Sequence, residues 1–268
     1  MSSLIAALPM YDWPEARAET DAEWARFRDA LQMVGIDAPV RLARRNADLP
    51  AVPGGIRDAE GRQIAPDPAT LPPDELDFAT LWRHPRLLLA QTCWGPMEAG
   101  LESDVQVVGQ PAYSVYEGGE GPLYSSAILM RRQDAPAVAP PADGCASIPL
   151  ETLLGKRLAY NEPHSMSGFL ALKRDLEAMG EGVSLFSECV QTGSHGAAAL
   201  AVAEGRADIC AVDCRTWALI RRFRPASAGL VVVGWTARRK GLPFITSRAT
   251  GGEHLAILRR TLGHLSPA

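Results

Sequence analysis

Three short stretches hold the residues best placed to do chemistry. Asn161-Glu162-Pro163-His164-Ser165-Met166-Ser167-Gly168 sets two hydroxyls and a glycine directly before an apolar-periodic segment. Thr192-Gly193-Ser194-His195 and Asp213-Cys214-Arg215-Thr216 stand in the same relation to the segments that follow them. Hydroxyls at a helix start, beside unpaired backbone N–H groups and the positive end of the dipole, suit an anion. His195 could donate to a bound oxyanion, and Asp213 could contact the ligand. Each has a plainer reading: Ser165 or Ser194 as an N-cap, His195 as a satisfied structural residue, Asp213 as a carboxylate at a helix start. Three such ends in one half of the chain point to one shared pocket. In the other half, Tyr11 and Asp12 follow the first strand, and Gln91 and Thr92 follow a later one. Tyr11 could equally be a core or lid aromatic.

The elements that must position these residues read as alternating strands and helices. A strand over 4–8 ends at Pro9, and a helix starting at Pro14 carries Trp24, Phe27, Leu31 and Val34 at helical spacing until Gly35 closes it. Residues 39–85, rich in proline, read as a long surface excursion containing one helix over 73–82. Strands are expected at 87–90, 105–108 and 124–130, with 91–96 as a loop and 117–122 as a flexible polar stretch. A second proline-rich stretch spans 136–149, before a helix-like segment over 150–154. From there the chain alternates: strands at 157–160, 188–191 and 209–212, helices at 168–179, 197–204 and 216–223. A buried strand at 229–234, a segment at 242–246 and a helix over 252–262 close the chain. This alternation marks an α/β fold with a mostly parallel sheet, whose ligands bind beyond the carboxyl ends of the strands. Arg238-Arg239-Lys240 reads as a solvated turn, or as cations that steer an anion.

Composition narrows the function. A chain of 268 residues allows one large domain or two small ones, and 47% hydrophobic residues with a net charge of −4 exclude disorder over most of it. The same charge argues against a sequence-wide nucleic-acid footprint. No run approaches the roughly 20 apolar residues of a membrane helix, so a soluble protein without a membrane span is expected. No basic n-region, long apolar core and cleavage site stand at the start, which fits a cytoplasmic protein or one whose leader has been removed. The five cysteines are odd in number and irregularly spaced, and read as inert thiols rather than metal ligands. There is no Gly-x-Ser-x-Gly elbow, no P-loop and no His-Glu-x-x-His pair. Gly118, Gly119 and Gly121 precede a strand, so they are no dinucleotide fingerprint. No metal or cofactor is expected.

The order Asn161 to Gly168, Thr192 to His195, then Ala199-Leu200-Ala201-Val202-Ala203-Glu204-Gly205-Arg206-Ala207-Asp208, resembles the phosphate/phosphite/phosphonate-type substrate-binding proteins of ABC importers. The resemblance is strongest over 155–217. It implies a type II periplasmic-binding-protein fold: two α/β lobes, 1–122 with 242–268 and 123–241, joined by hinge strands near 121–125 and 236–243 and closing on a ligand. It places the family's oxyanion-binding serines at Ser165 and Ser167, its histidine at His195, its cleft tyrosine at Tyr124 and its first-lobe loop at Gln91 and Thr92. Asn161 opens the serine loop and belongs to the same expected ligand set. Two departures bear on the ligand. Met166 stands where threonine is common, so one hydroxyl contact is lost. Arg215 and Leu242 stand where aminophosphonate-binding members carry acids, which disfavours an ammonium-bearing ligand.

The resulting expectation is a solute-binding component of an ABC-type importer, with a permease as partner. Its ligand is a small amine-free oxyanion such as phosphate or a phosphonate, held by Tyr11, Gln91, Thr92, Tyr124, Asn161, Ser165, Met166, Ser167, His195, Asp213 and Arg215. The alternatives on the same fold are a cytoplasmic enzyme of the thiamine- or menaquinone-precursor type, with Asp213 or His195 as acid–base groups, and a sensor.

Overall fold

Alternation of side chains along the first strand sets the layers. In Ile5–Ala7 and the residue after it, Ile5 and Ala7 face one apolar cluster while Ala6 and Leu8 face another. This computed structural model describes residues 4–265. The chain separates into two compact units, one running to Pro111 and resuming at Leu242, the other Ala112–Gly241.

The first unit is built on a four-stranded sheet, in the order Ile5–Ala7, Leu87–Gln91, Phe244–Ser247, Val105–Gly109. Phe244–Ser247 runs against both of its neighbours, whereas Ile5–Ala7 and Leu87–Gln91 are parallel. One face is covered by the helices Arg17–Met33 and Gly252–Leu265, through Trp24, Phe27, Leu31, Leu258 and Leu262. Val34 does not continue that stripe. It is the helix C-cap and half exposed, because Gly35 turns the chain into the left-handed region at φ +83°. The other face is covered by Ala43, Leu49, Leu81, Trp82, Met97 and Leu101. Residues 39–85 are therefore no surface excursion: they supply much of one core layer, pinned by Trp82 Nε1 donating to the Gln91 carbonyl at 2.9 Å. The helix expected over 73–82 is confined to Phe78–Arg83, where Asp77 caps the Thr80 amide at 2.7 Å. The segment after Gln91 is helical at Trp94–Glu98 rather than a loop.

The second unit holds a five-stranded sheet in the order Glu188–Gln191, Arg157–Tyr160, Ile209–Asp213, Ser126–Arg131, Leu230–Trp235. The first three are mutually parallel neighbours, and only Ser126–Arg131 runs against the rest. Leu158, Leu172, Leu176, Ile209, Ala211, Ile128 and Val231 lie in its core. Residues 112–122 group with this unit, eleven residues earlier than the boundary drawn from sequence. Tyr113 N donates to the Gly121 carbonyl at 2.7 Å, and Gly119–Glu120 pairs with Leu123–Tyr124, which pairs in turn with Arg239–Lys240. Residues 117–122 are thus part of a tight hairpin. Gly119 is packed against the Tyr113 backbone, where a Cβ would collide. The cations at 238–240 form no solvated turn either: Arg238 pairs with Glu120, and Arg239 with Asp175 at 2.7 Å. Among the described residues no helix is long and apolar enough to cross a membrane.

One carboxylate fastens the edge of this sheet where Arg157–Tyr160 and Ile209–Asp213 begin. Asp208 accepts from Arg157 Nε at 2.9 Å, Arg157 Nη2 at 3.0 Å, the Arg157 amide at 3.1 Å and Arg131 Nη2 at 3.1 Å. The Arg157 bonds, helped by Arg131, hold its carboxyl far below the ordinary 3.8. Its native state therefore binds a proton less readily than the unfolded chain, and the stabilisation is present above pH 3.8 and lost on further acidification. Asp208→Asn is expected to destabilise by about 1–3 kcal/mol at pH 7. In urea titrations the gap to wild type should narrow below pH 3.8.

Candidate functional site

Because Glu188–Gln191, Arg157–Tyr160 and Ile209–Asp213 are parallel and adjacent, their carboxyl ends share one edge, and the helices that follow begin there. Each helix start is capped by a side chain. Ser165 Oγ accepts from the Gly168 amide at 3.1 Å, Ser194 Oγ from Ala197 N at 3.1 Å, and Asp213 Oδ1 from Thr216 N at 2.8 Å. The plain cap readings of Ser165, Ser194 and Asp213 therefore hold in the structure, and the question is what else these residues do.

The first of these starts is unusual. Met166–Leu170 is wound as a π-helix before Ala171–Ala178 continues as α-helix, and Leu170 N reaches back to the Ser165 carbonyl at 3.0 Å. Amides that open a helix lack an acceptor one turn back, and here Ser165 supplies one to Gly168 through its hydroxyl and to Phe169 and Leu170 through its carbonyl. Ser167 is buried, and its Oγ lies 3.1 Å from His195 Nε2. The same nitrogen is 3.9 Å from Asp213 Oδ2. Burial pushes the His195 imidazole below its ordinary 6.5, against the pull of Asp213, the Ala211 carbonyl and Glu162. Gly168 makes this contact possible: a Cβ there would collide with Asn161 and stand 2.9 Å from His195 Cε1. The Asn161 and Thr192 loops are tied together by Gly193 N donating to the Asn161 carbonyl at 3.0 Å and Thr192 N to the Tyr160 carbonyl at 2.8 Å. Gly193 turns at φ +81°, which a side chain would strain.

Of the residues singled out from sequence, the structure gathers Asn161, Ser165, Ser167, His195 and Asp213 at this edge. Met166 is buried in the same turn, with its sulfur 3.7 Å from Arg174 Nη1. Arg215 is the second residue of the helix Cys214–Phe223, its guanidinium 6.0 Å from the centre of the Tyr116 ring. Tyr124 is fully buried, its ring tilted 55° against that of Tyr113 with centres 5.4 Å apart. Tyr11, Gln91 and Thr92 belong to the first unit. All three are buried, beyond or at the carboxyl ends of the parallel strands Ile5–Ala7 and Leu87–Gln91. Thr92 Oγ1 has no hydrogen-bond partner among the described residues. Asp12 is engaged by Arg44 at 2.6 Å. Leu242 is buried in the first unit.

Sequence reasoning passed over Ser125, Ser126 and Thr236. Ser126 pairs with Asp213 across the sheet, its amide donates to Thr236 Oγ1 at 2.8 Å, and its own Oγ is buried without a partner among the described residues. The Ser125 carbonyl accepts from Cys214 N at 3.1 Å. The doublet Ser125-Ser126 was a signal, since two hydroxyls are unusual at the start of an otherwise apolar strand. Cys210 and Cys214 are buried free thiols whose ionisation burial pushes up, and no cluster among the described residues could hold a metal.

Comparison with known proteins decides the family. The profile of the periplasmic substrate-binding proteins of phosphonate ABC transporters matches residues 97–266, more than half of the chain. The chain belongs to that family. Sequence comparison with curated proteins gives no match. Among solved structures, PhnD1 of Prochlorococcus marinus in complex with methylphosphonate is 14% identical, with a TM-score of 0.59 over 96% of this chain and 82% of that one. A binding component of a phosphonate ABC transporter from Pseudomonas aeruginosa is 18% identical, with a TM-score of 0.58 over 96% and 72%. XAC2383 of Xanthomonas citri, bound to chloride ion, is 16% identical, with a TM-score of 0.59 over 97% and 83%. The fold is that of the two-lobed periplasmic binding proteins. The phosphonate-binding family is one of transporter binding components and not of enzymes.

The half-buried imidazole of His195 gives a test independent of any ligand. An unfolded histidine takes up its proton near pH 6.5, whereas His195, desolvated at the helix start, resists it, so acidification through that range costs stability. His195→Gln should lose that part of the dependence, while His84, itself buried, contributes equally in both proteins. Urea midpoints at pH 7.5 and 5.5 check this, and an equal drop in both proteins refutes it.

Proposed function

We propose that this protein binds small amine-free oxyanions of the phosphonate and phosphate class and delivers them to an ABC permease. The observation that carries the reading is the joining of Ser165, Ser167 and His195 at one helix start. The Ser165 hydroxyl, and the Ser167 hydroxyl when His195 Nε2 donates to its oxygen, offer donors to a single anion at a helix start whose dipole favours its charge. The ligand belongs to the family's chemistry, and Arg215 refines it. A guanidinium two residues beyond Asp213, at a sheet edge shared with His195, repels an ammonium group and tolerates or attracts a further negative one.

A thermal-shift series with methylphosphonate, phosphate, phosphite, sulfate and 2-aminoethylphosphonate tests the reading, because a ligand at 100 times its Kd stabilises the native state by about 2.7 kcal/mol. Methylphosphonate or phosphate should raise the midpoint, and 2-aminoethylphosphonate should not. A flat response to every oxyanion overturns the proposal. Ser167→Ala, which leaves the Ser165 cap in place, should weaken binding about 10–100-fold, as expected for one hydrogen bond to a charged group. Arg215→Ala should narrow the gap between the methyl and aminoethyl ligands. Wild-type discrimination in that variant removes Arg215 from the argument.

A further inference from the structure

The helix that opens with Ser165 and Ser167 is also gripped from the side by one carboxylate. Asp175 lies among the buried positions of Ala171–Ala178, beside Leu172 and Leu176. Its Oδ1 accepts from Arg239 Nη2 at 2.7 Å and its Oδ2 from the Ala237 amide at 2.8 Å. The side chains of Asp175 and Arg239 are only 10% and 20% exposed. This is a desolvated ion pair in an otherwise apolar helix face, a position where leucine would pack at less cost. Its partners explain the charge. Arg239 is paired across the small sheet with Tyr124. Two residues before Ala237, the strand Leu230–Trp235 ends, and Thr236 between them holds the Ser126 amide. The segment 236–239 thus touches both the Tyr124–Ser126 stretch and the oxyanion helix, and it runs on to Gly241, the last residue before the chain returns to the first unit.

We infer that Asp175 and Arg239 are positioning residues for the oxyanion site, fixing the Ser165–Ser167 turn relative to Tyr124 and Ser126. The inference rests on the reading of that turn as the anion site. The pair touches no ligand itself. It works by fixing the axial position of the helix: a shift along the axis moves the serine hydroxyls and the first-turn amides together. A carboxylate with two acceptors does this better than apolar contact, because each of its charge-assisted bonds fixes a direction as well as a distance.

Isothermal titration with methylphosphonate and with inorganic phosphate, at a temperature where every variant is fully folded by circular dichroism, tests the inference. Asp175→Asn, Arg239→Gln and the double variant form a cycle. Each single change is expected to weaken both oxyanions at least tenfold. The double variant should be no weaker than the worse single, since the two residues act as one. Arg239→Lys, which keeps the charge but not the fork, should fall between wild type and Arg239→Gln. Variants that melt earlier yet bind with wild-type affinity overturn the inference and reduce the pair to a stabilising contact. If Asp175→Asn does not fold, the two Arg239 variants, which leave the Ala237 bond in place, carry the same test. A wild-type protein that binds neither oxyanion overturns the anion site itself, a result distinct from wild-type binding that the variants share.

Discussion

The contact between Ser167 and His195 is the constraint on which the rest of the site depends. It joins the start of one helix to the start of the next, and it exists only because residue 168 has no side chain. Gly168 lets Asn161 and the imidazole close on the first turn. That turn is wound wide, as a π-helix, so that Ser167 is turned toward His195 while Ser165 still caps the helix. A regular α-turn with alanine at 168 would be the more stable local structure. The sequence keeps glycine there, and with it the Ser167–His195 contact.

Sheet topology supplies the meeting point. In each unit one strand runs against the others: Phe244–Ser247 in the first, Ser126–Arg131 in the second. Each of them begins soon after a unit boundary, Phe244–Ser247 following Leu242 and Ser126–Arg131 following the hairpin at 119–124. The antiparallel strand of the second unit therefore starts at the edge where the parallel strands end. That arrangement puts Ser126 opposite Asp213 and Tyr124 close by in the chain. Hydroxyls from a strand start and caps from three helix starts share one edge without any long loop to hold them.

Much of this was legible in the sequence, and the parts that were not fail for specific reasons. Strand–helix alternation after residue 155 is strongly periodic, and its elements fall within a few residues of the expected ones. The serine loop, His195 and Asp213 were legible because strand ends followed by small polar residues have a physical meaning. Residues 39–85 misled because proline marks irregular backbone, not exposure. Leu49, Leu81 and Trp82 are buried between turns that look like surface in one dimension. Arg239 misled for the converse reason. Its partner Asp175 is 64 residues away in sequence, and no local pattern announces a pair that closes through tertiary structure. Ser126 was hidden inside a correctly expected strand, since pattern reading assigns a residue to an element before asking which way its hydroxyl faces.

The same residue types that build this site also build acyl-transfer enzymes, and the geometry separates the two. In a nucleophile–base–orienter line the serine and the carboxylate engage opposite nitrogens of the imidazole, so that one holds the tautomer while the other gives up its proton. Here Ser167 Oγ and Asp213 Oδ2 face the same nitrogen, Nε2, at 3.1 and 3.9 Å. Asp213 is moreover committed to its own helix, accepting from Thr216 N at 2.8 Å and Thr216 Oγ1 at 2.6 Å. A carboxylate so employed cannot orient the ring from behind, and an imidazole whose charged form is disfavoured by burial is a poor store for a proton taken from serine. What remains for His195 is to donate or accept at the helix start beside Ser165 and Ser167, which suits the anion-binding role proposed for that turn. Such a geometry suits binding better than turnover, in keeping with a family of transporter substrate-binding proteins.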